Sequence, residues 1–495
     1  MVAAALLGAT GSARAENLNF SGSGTVRILA SDWADYQGGN QTFNSANDGG
    51  RLYWRGGAGD GQFMHFDLAR LQGITLTSGA SITLQNTNAT WGGGVDGSFI
   101  ATANSAWTAA GSASVPGATA IGDATNASGN YGSNTSITWG VGATALQDLV
   151  TNAATFNGFA IIGGPGSQMH FNGPMNPYLT VTTSASMADV VTVTGGGVWS
   201  NYSFADGVLT ITGAVAGGQS GAGNVTINAL GTVLVDGNNG DNYYWAVDST
   251  RINTGGVLVL QGHSHLHNLT LAGGEIAGIR PNGNYGGWTF DDATTVTGGA
   301  VSTISAQQVN LDNGNFTIEA GSTLKFTGSV RSGSLTPIIA AGGRFINAAA
   351  PGTSLRLSGL VLNGGELAAT NTASGTYGHY HLVSDISVGG SVMSTISSDV
   401  RVGDNATRTF DVADVDGGSG TDLLLSGRIG HYNGVSSGSF AKSGAGTMRI
   451  TGATEVASGT VNAGRLILED NAVEGWWGSG LVTNAIVEFA LTGAK

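Results

Sequence analysis

No cysteine occurs in the 495-residue chain. Disulfide staples and thiolate metal sites are therefore excluded, and stability has to come from a hydrophobic core and backbone hydrogen bonds. Proline is scarce, at 7 residues, and lysine is scarcer still, at Lys325, Lys442 and Lys495. Few prolines leave the backbone N–H groups able to join sheet ladders. Few lysines, in a chain of formal net charge −14, leave no broad cationic surface to displace counterions from a phosphate backbone, so no nucleic-acid partner is expected. Charged residues amount to only 10%, too few for a chain kept disordered by its own solvation. No later segment reaches the roughly 18 uninterrupted apolar residues of a membrane helix, so no transmembrane segment is expected.

What the chain has in abundance is glycine, with 84 residues, alongside 41% hydrophobic residues. No strict every-third glycine appears, which excludes collagen. Glycine with many Thr, Val, Ser and Asn reads as short strands joined by tight turns. The first residues, MVAAALLGATGSARA, set an apolar run from Val2 to Leu7 before a small-residue ending at Ala13-Arg14-Ala15. That pattern fits the back half of a secretory signal peptide over residues 1–15, and export to the outside of a bacterial cell is the expectation.

Two grammars follow. Residues 16–184 carry strand-like runs such as TVRILA, RLYWRG, QFMHFDL, SITWG, GFAIIGG and YLTVTTS, bounded by Gly, Asn and Ser. Their alternation predicts an antiparallel β-sandwich. ATALQDLVTNAA (143–154) places Leu146, Leu149 and Val150 on one helical face. Residues 185–495 repeat a strand, a small-residue turn and a strand, as in NVTINALGTVLVDG, TRINTGGVLVLQG and FTIEAGSTLKFTG. A longer repeat overlies this one. LTLAGGEIAG…GNYGGWTF…VTGGAVSTIS returns as LVLNGGELAA…GTYGHYHL…VGGSVMSTIS, with Leu269 and Leu360 lying 91 residues apart. One strand-turn-strand unit cannot bury its apolar face, whereas stacked coils can. The prediction is an all-β chain: a jelly-roll sandwich, then a right-handed parallel β-helix with coils of roughly 20–25 residues.

Two family resemblances sharpen this reading. SDWADYQGGNQTFNSANDGGRLYWRGG, MHFDLARLQGITLTSGASITL, SNTSITWG, LQDLV, GFAIIGG and NPYLTVTT follow one another in an order that resembles the DNRLRE-type jelly roll, which is like a carbohydrate-binding module. The chain departs from that family at Ser112–Ser114, where acidic residues are usual. KSGAGTMRITGATEVASGTVNAGRLILED resembles the autotransporter-associated β-strand repeat through Lys442, Gly444, Gly446, Met448, Ile450, Gly452, Gly459, Val461, Gly464, Leu466 and Leu468, with Val456 in place of an aromatic. These resemblances imply a glycan-binding module and an extracellular solenoid. The chain stops at EFALTGAK, in the middle of what reads as another repeat, so a longer natural product is expected.

Candidate chemistry is sparse. An aromatic plane can cover the C–H face of a sugar, and Trp33, Tyr36, Tyr53 and Trp91 are candidates for that role, with Arg51, Arg55 and His65 attracting an acidic polysaccharide. In RLYWR, Tyr53 shares a face with Arg51 and Arg55, which directs Trp54 to the core. Asp32, Asp35 and Asp48 are candidate ligands of a structural Ca²⁺, against ordinary loop carboxylates. Asp411, Asp414, Asp416 and Asp422 offer oxygens for Ca²⁺ or serve as turn residues. His263, His265 and His267 share one strand face by period two, suited to a transition metal. With no acidic partner evident nearby, an exposed polar face is the expectation. Asp291 and Asp292 point to opposite sides of a strand and are expected as solvated turn residues. His379 and His381 repeat the histidine pattern weakly. GGSGT lacks the strand–elbow–helix context of a serine nucleophile.

The expected protein is non-enzymatic: an exported surface or matrix adhesin whose jelly roll binds polysaccharide on a solenoid stalk. Two alternatives stand beside it, a β-helix polysaccharide lyase or glycoside hydrolase, and a subunit that self-associates into an extracellular fibre.

Overall fold

The computed structural model describes residues 18–22, 24–30, 32–37, 40–44, 52–55, 61–86, 93–94, 98–107, 117–122, 124–125, 130–131, 135–163, 168–171, 177–184, 187–195, 199, 201–212, 223–236, 245, 247–279, 287–306, 308–311, 314–373, 378–403, 406–430, 438–474 and 481–491. The signal-peptide residues 1–15 lie outside them.

The N-terminal part is an antiparallel sandwich. One sheet runs Thr135–Val141, Leu76–Asn86, Tyr178–Thr183, Thr25–Leu29. The other runs Ala118–Ala120, Phe99–Ala103, Phe159–Ile162, Gly61–His65, Asp32–Gln37, Asn40–Asn44. Alternation decides which side chains go in. Val26, Ile28, Ile82, Trp139, Leu179 and Val181 from the first sheet join Trp33, Met64, Phe159 and Ile161 from the second in one core. The expected helix forms as Ala143–Thr151 and buries Leu146 and Val150, with Leu149 packed against the same core.

From residue 187 onward the chain coils. Two 14-stranded sheets form two sides of a prism. A four-stranded sheet, His263–Leu266 to Val330–Gly333, and a five-stranded sheet, Leu355–Leu357 to Thr454–Glu455, make up the third side. Beyond the head the strand pairings are parallel, and apart from one bulge at Val309–Asn310 in the four-stranded sheet they stay in register, so like positions stack. Ile227, Ile252, Leu271, Val296, Ile318, Ile339, Leu362, Val388 and Val412 form one internal column. Each is at most 2% exposed. The coils are less uniform than expected. Lys442 pairs with Val461, 19 residues on, whereas Phe410 pairs with Lys442, 32 residues on. Extra residues are inserted at corners, where they do not disturb the columns.

The head of the prism is closed by antiparallel strands. Leu18–Gly22 pairs with Met187–Thr194, and Tyr202–Ala205 pairs with Val208–Ile211. The first described strand of the chain therefore belongs to the solenoid ladder and not to the sandwich that follows it. Trp199 and Trp245 stack inside this end with ring centroids 5.7 Å apart.

The sandwich docks on the flank of the first coils. Val208, Leu234, Val257 and Val259 face outward from the second long sheet, yet none is more than 8% exposed, and Leu29 of the sandwich packs on them. This explains why GTVLVDG and GGVLVLQG are apolar on both faces: one face fills the solenoid and the other meets the sandwich. Arg70 clamps the joint, donating from Nε to Gly255 O at 3.0 Å and from Nη2 to Gly231 O and Thr232 Oγ1 at 3.1 Å. Arg27 pairs with Asp206 at 2.8 Å and lies over the Tyr178 ring. Glu275 lies in the same joint, beside a cavity of about 40 Å³, and accepts a hydrogen bond from Ser305. Burial raises the Glu275 carboxyl above its ordinary range.

The long sequence repeat turns out to be four coils. Leu269 and Leu360 begin strands four apart in the first long sheet. The two copies reproduce each other's hydrogen bonds. Trp288 Nε1 donates to Ala277 O at 2.9 Å, and Tyr380 OH donates to Ala368 O at 2.8 Å. Gly273 and Gly364 both take left-handed backbone, with φ of +86° and +84°, and the N–H of each donates to a buried serine, Ser302 and Ser394, at 2.9 Å. A side chain at either glycine would strain the backbone and strike a neighbouring coil, at Thr254 for Gly273 and at Val392 for Gly364.

Two outcomes follow from this architecture. Arg70→Ala leaves buried carbonyls without their donor, a cost of about 1–3 kcal/mol. Hydrogen exchange should show lost protection in Thr232–Asp236 and Val257–Gln261 and none in Thr447–Ile450. Trp288→Phe and Tyr380→Phe each leave an alanine carbonyl without its donor and should lower the unfolding free energy measured by denaturant titration by about 1–3 kcal/mol, with Trp288→Phe the costlier because it also leaves a cavity in the column.

Candidate functional site

The sandwich residues expected to hold sugar divide into three groups. Trp33 and Tyr36 are core residues, 1% and 0% exposed, and are not stacking platforms. Trp33 points between the two sheets. Tyr36 packs edge-on against Phe63 in a second cluster with Trp107, at a ring-centroid distance of 5.2 Å. The physical reason is the alternation of the strand Asp32–Gln37, which sends Trp33 to one covered face and Tyr36 to the other. Tyr53 and Arg55 lie on a strand, Leu52–Arg55, that pairs antiparallel with Gln168–Phe171; only its backbone is described. The same holds for Asp32 and Asp35, while Arg51, Trp91 and Asp48 lie outside the described residues. His65, expected to add positive charge, packs at a tilt of 36° against Trp107, with ring centroids 4.7 Å apart. Burial lowers its pKa to about 4, so the ring is neutral at pH 7.

The aspartate-rich loop behaves as a built corner. Asp414 accepts from Gly417 N and Asp416 from Gly418 N, both at 2.8 Å. Asp422, fully buried, accepts from Val415 N at 2.9 Å and Thr447 N at 2.6 Å. These three carboxylates come within 4.8 Å of one another, but each already closes a turn as an acceptor for a backbone N–H. Beside them Lys442 takes an inward position in the column Ile386, Phe410, Lys442, Val461. Its methylene stem fills that column. Its Nζ donates to Ser443 O, Gly444 O and Ala463 O at 2.8, 2.7 and 3.1 Å. Burial lowers the amine to about 8, against the opposing pull of Asp411 and Asp422. The lysine of the KxGxG motif is thus a corner brace. Gly464 closes over it in left-handed backbone, at φ +69°, where a Cβ would meet Lys442 Nζ.

The third side of the prism holds the densest chemistry. His263 and His265 lie on the outer face of the strand His263–Leu266, as period two requires, and His267 follows just past its end. The next coil supplies their partners. The strand Gly287–Phe290 stacks in register, His263 on Gly287 and His265 on Thr289, and Asp291 N bonds to Leu266 O. Asp291 Oδ2 then lies 2.5 Å from His265 Nδ1 and 3.6 Å from His267 Nε2. Asp292 Oδ2 lies 2.9 Å from His267 Nδ1. His263 Nε2 meets Thr289 Oγ1 at 3.0 Å, and its ring lies 5.1 Å from that of His265. The two aspartates converge on the histidines because they follow the end of the strand, where the chain turns the corner and strict alternation lapses. The expectation of solvated turn carboxylates and a histidine face without acids is corrected here. The signal was present in the sequence: His267 and Asp291 are one coil apart.

The same row continues in the second four-coil copy with different residues. Arg356, His381 and Arg401 stack in register. Burial, then the positive fields of Arg401, Arg356 and Arg408, lower His381 to about 4. No family model, no curated protein and no solved structure matches the chain.

Both His65 and His381 stay neutral in the fold below the ordinary histidine value of 6.5. The unfolded chain takes up protons there and the native one does not. Their contribution is therefore intact above pH 6.5 and is lost as pH falls towards 4, by at most about 1.4 kcal/mol per pH unit for each ring. Ring titrations followed by NMR should give midpoints near 4 for both, and His65→Gln should flatten the fall of the melting temperature over that range.

Proposed function

We propose that the chain is an exported bacterial surface or matrix protein, without enzymatic activity, in which a glycan-binding sandwich is carried on a solenoid stalk. One observation carries this reading. The sandwich is fastened to the first coils by an apolar patch and by the Arg70 clamp, so that a compact module is held rigidly on a long, regular stack. A rigid joint keeps a weak ligand site at a fixed distance from its anchor and limits the entropy lost on binding. The resemblances to the DNRLRE-type jelly roll and to the autotransporter-associated repeat support the same assignment. With Trp33 and Tyr36 in the core, Tyr53, Arg51, Arg55 and Trp91 carry the proposed contact with an acidic polysaccharide. Asp32, Asp35 and Asp48 are the proposed ligands of a structural Ca²⁺. Among the described residues no helix is long and apolar enough to cross a membrane.

A glycan array probed with the full chain tests this. Binding to acidic polysaccharides is expected, weakened about 10-fold or more by Arg51→Ala combined with Arg55→Ala, because charge-assisted contacts contribute about 1.5–3 kcal/mol. Absence of binding to every glycan, or binding unaffected by that pair and by Tyr53→Ala, overturns the proposal. Release of oligosaccharide products during the incubation would favour the lyase or hydrolase alternative.

A further inference from the structure

We propose that His265, His267 and Asp291 form a binding site for one divalent late first-row transition-metal ion, of the class of Zn²⁺, Ni²⁺ and Cu²⁺. Imidazole with one carboxylate is a donor set that such ions favour over Mg²⁺ or Ca²⁺. Two ligand atoms each about 2.0–2.1 Å from one tetrahedral zinc lie roughly 3.4 Å apart. His267 Nε2 and Asp291 Oδ2, at 3.6 Å, are close to that separation. Asp292 holds His267 Nδ1 at 2.9 Å, the carboxylate–imidazole–metal relay that fixes a ligand ring and raises its basicity. Asp292 is thus a positioning residue and not a ligand. The third donor is His265 Nδ1, now hydrogen-bonded to Asp291 at 2.5 Å and more than 4.8 Å from His267 Nε2, so the His265 ring has to turn towards His267 for one ion to take all three donors. The ion takes the place of that hydrogen bond, and the ring proton moves from Nδ1 to Nε2, so no net charge is created on the imidazole. The three donors are partly exposed, with side chains 22%, 35% and 24% accessible for His265, His267 and Asp291. An ion can reach them from solvent, and a fourth position stays available to water.

The duplication supplies an independent argument. The second four-coil copy builds the same prism with Arg356 and Ser358 where the first has His265 and His267, and with Val383 and Ser384 where it has Asp291 and Asp292. Stacking of the coils therefore does not require these four polar residues of the first copy. Four such residues, drawn from two coils onto one spot of the outer surface, mark a site added to a scaffold that stands without them. This inference does not rest on the glycan-binding reading, and each can fail alone.

The test uses the full chain after treatment with chelator. Titration with Co²⁺, followed by its visible d–d absorption, should give one site per chain, and Zn²⁺ should displace the colour. His267→Ala and Asp291→Asn should each lower the affinity about 100-fold or more. Asp292→Asn should lower it about 10-fold, in keeping with an orienting partner. Asp414→Asn combined with Asp416→Asn should leave it unchanged, and far-UV circular dichroism confirms that each variant is folded. Should His267→Ala fail to fold, His267→Gln replaces it. No Co²⁺ band, a band that survives His267→Ala or His267→Gln, or a band lost in the Asp414/Asp416 variant overturns the proposal.

Discussion

The parallel backbone ladder is the constraint from which the rest of this structure follows. Each strand of a coil bonds to its counterpart one coil on, in a register that does not slip along either long sheet outside the corners. Neighbouring strands lie about 4.8 Å apart, so every position is repeated at that spacing along the prism. Inward positions then become columns that must be filled without gaps. Outward positions become rows whose chemistry accumulates. A polar atom in a column is costly unless it is satisfied, because no water reaches it. Lys442 meets this demand with three carbonyls, and Asn347 with Thr353 O, His379 O and Ala349 N. Trp288 and Tyr380 meet it by sending one polar atom to a carbonyl while their rings fill the column. Asp422 meets it by closing a corner.

The duplicated four-coil unit separates what the ladder requires from what it merely permits. Both copies keep the buried aromatic with its hydrogen bond to an alanine carbonyl, the paired glycines and the buried serine beneath them. Both also keep an outward glutamate bonded to a serine, Glu275 with Ser305 and Glu366 with Ser397. These are the devices that let one coil sit on the next. The outer row of the third side is where the copies part: histidine and aspartate in one, arginine and histidine in the other. Residues that the stack does not constrain are the ones that can carry a task.

Much of the scaffold was legible because its signal is local and repeated. Alternation in NVTI, TRIN and FTIEA fixes strands, and the recurrence of LAGGE and LNGGE fixes the long period. Neither depends on knowing which strand lies beside which. The site residues failed for the opposite reason. Trp33 and Tyr36 lie on opposite faces of one strand, and only the second sheet layer and its outer covering reveal that both faces are buried. Val257 and Val259 read as ordinary strand residues until the sandwich is seen on top of them. His267 and Asp291 look unrelated in sequence because they are one coil apart. Once the coil length is known, a histidine and an acid separated by one coil become neighbours by rule, and the search for sites should run at that period.

The side-on placement of the sandwich has a consequence for where function can lie. Its footprint covers the outward valines of the second long sheet at the first coils, and Arg70 ties it to the carbonyls of two successive corners. An end cap would have met backbone edges instead, and those are already closed by the antiparallel strands Leu18–Gly22 and Tyr202–Ala205. The sandwich therefore competes with nothing on the third side, where the His265–Asp291 row begins in the same coils. A ligand on the sandwich and an ion on the third side would occupy different faces of one rigid body. Coupling between them would have to pass through the columns of the first coils, whose close packing leaves them little room to move. Independent binding of the two is what this geometry implies.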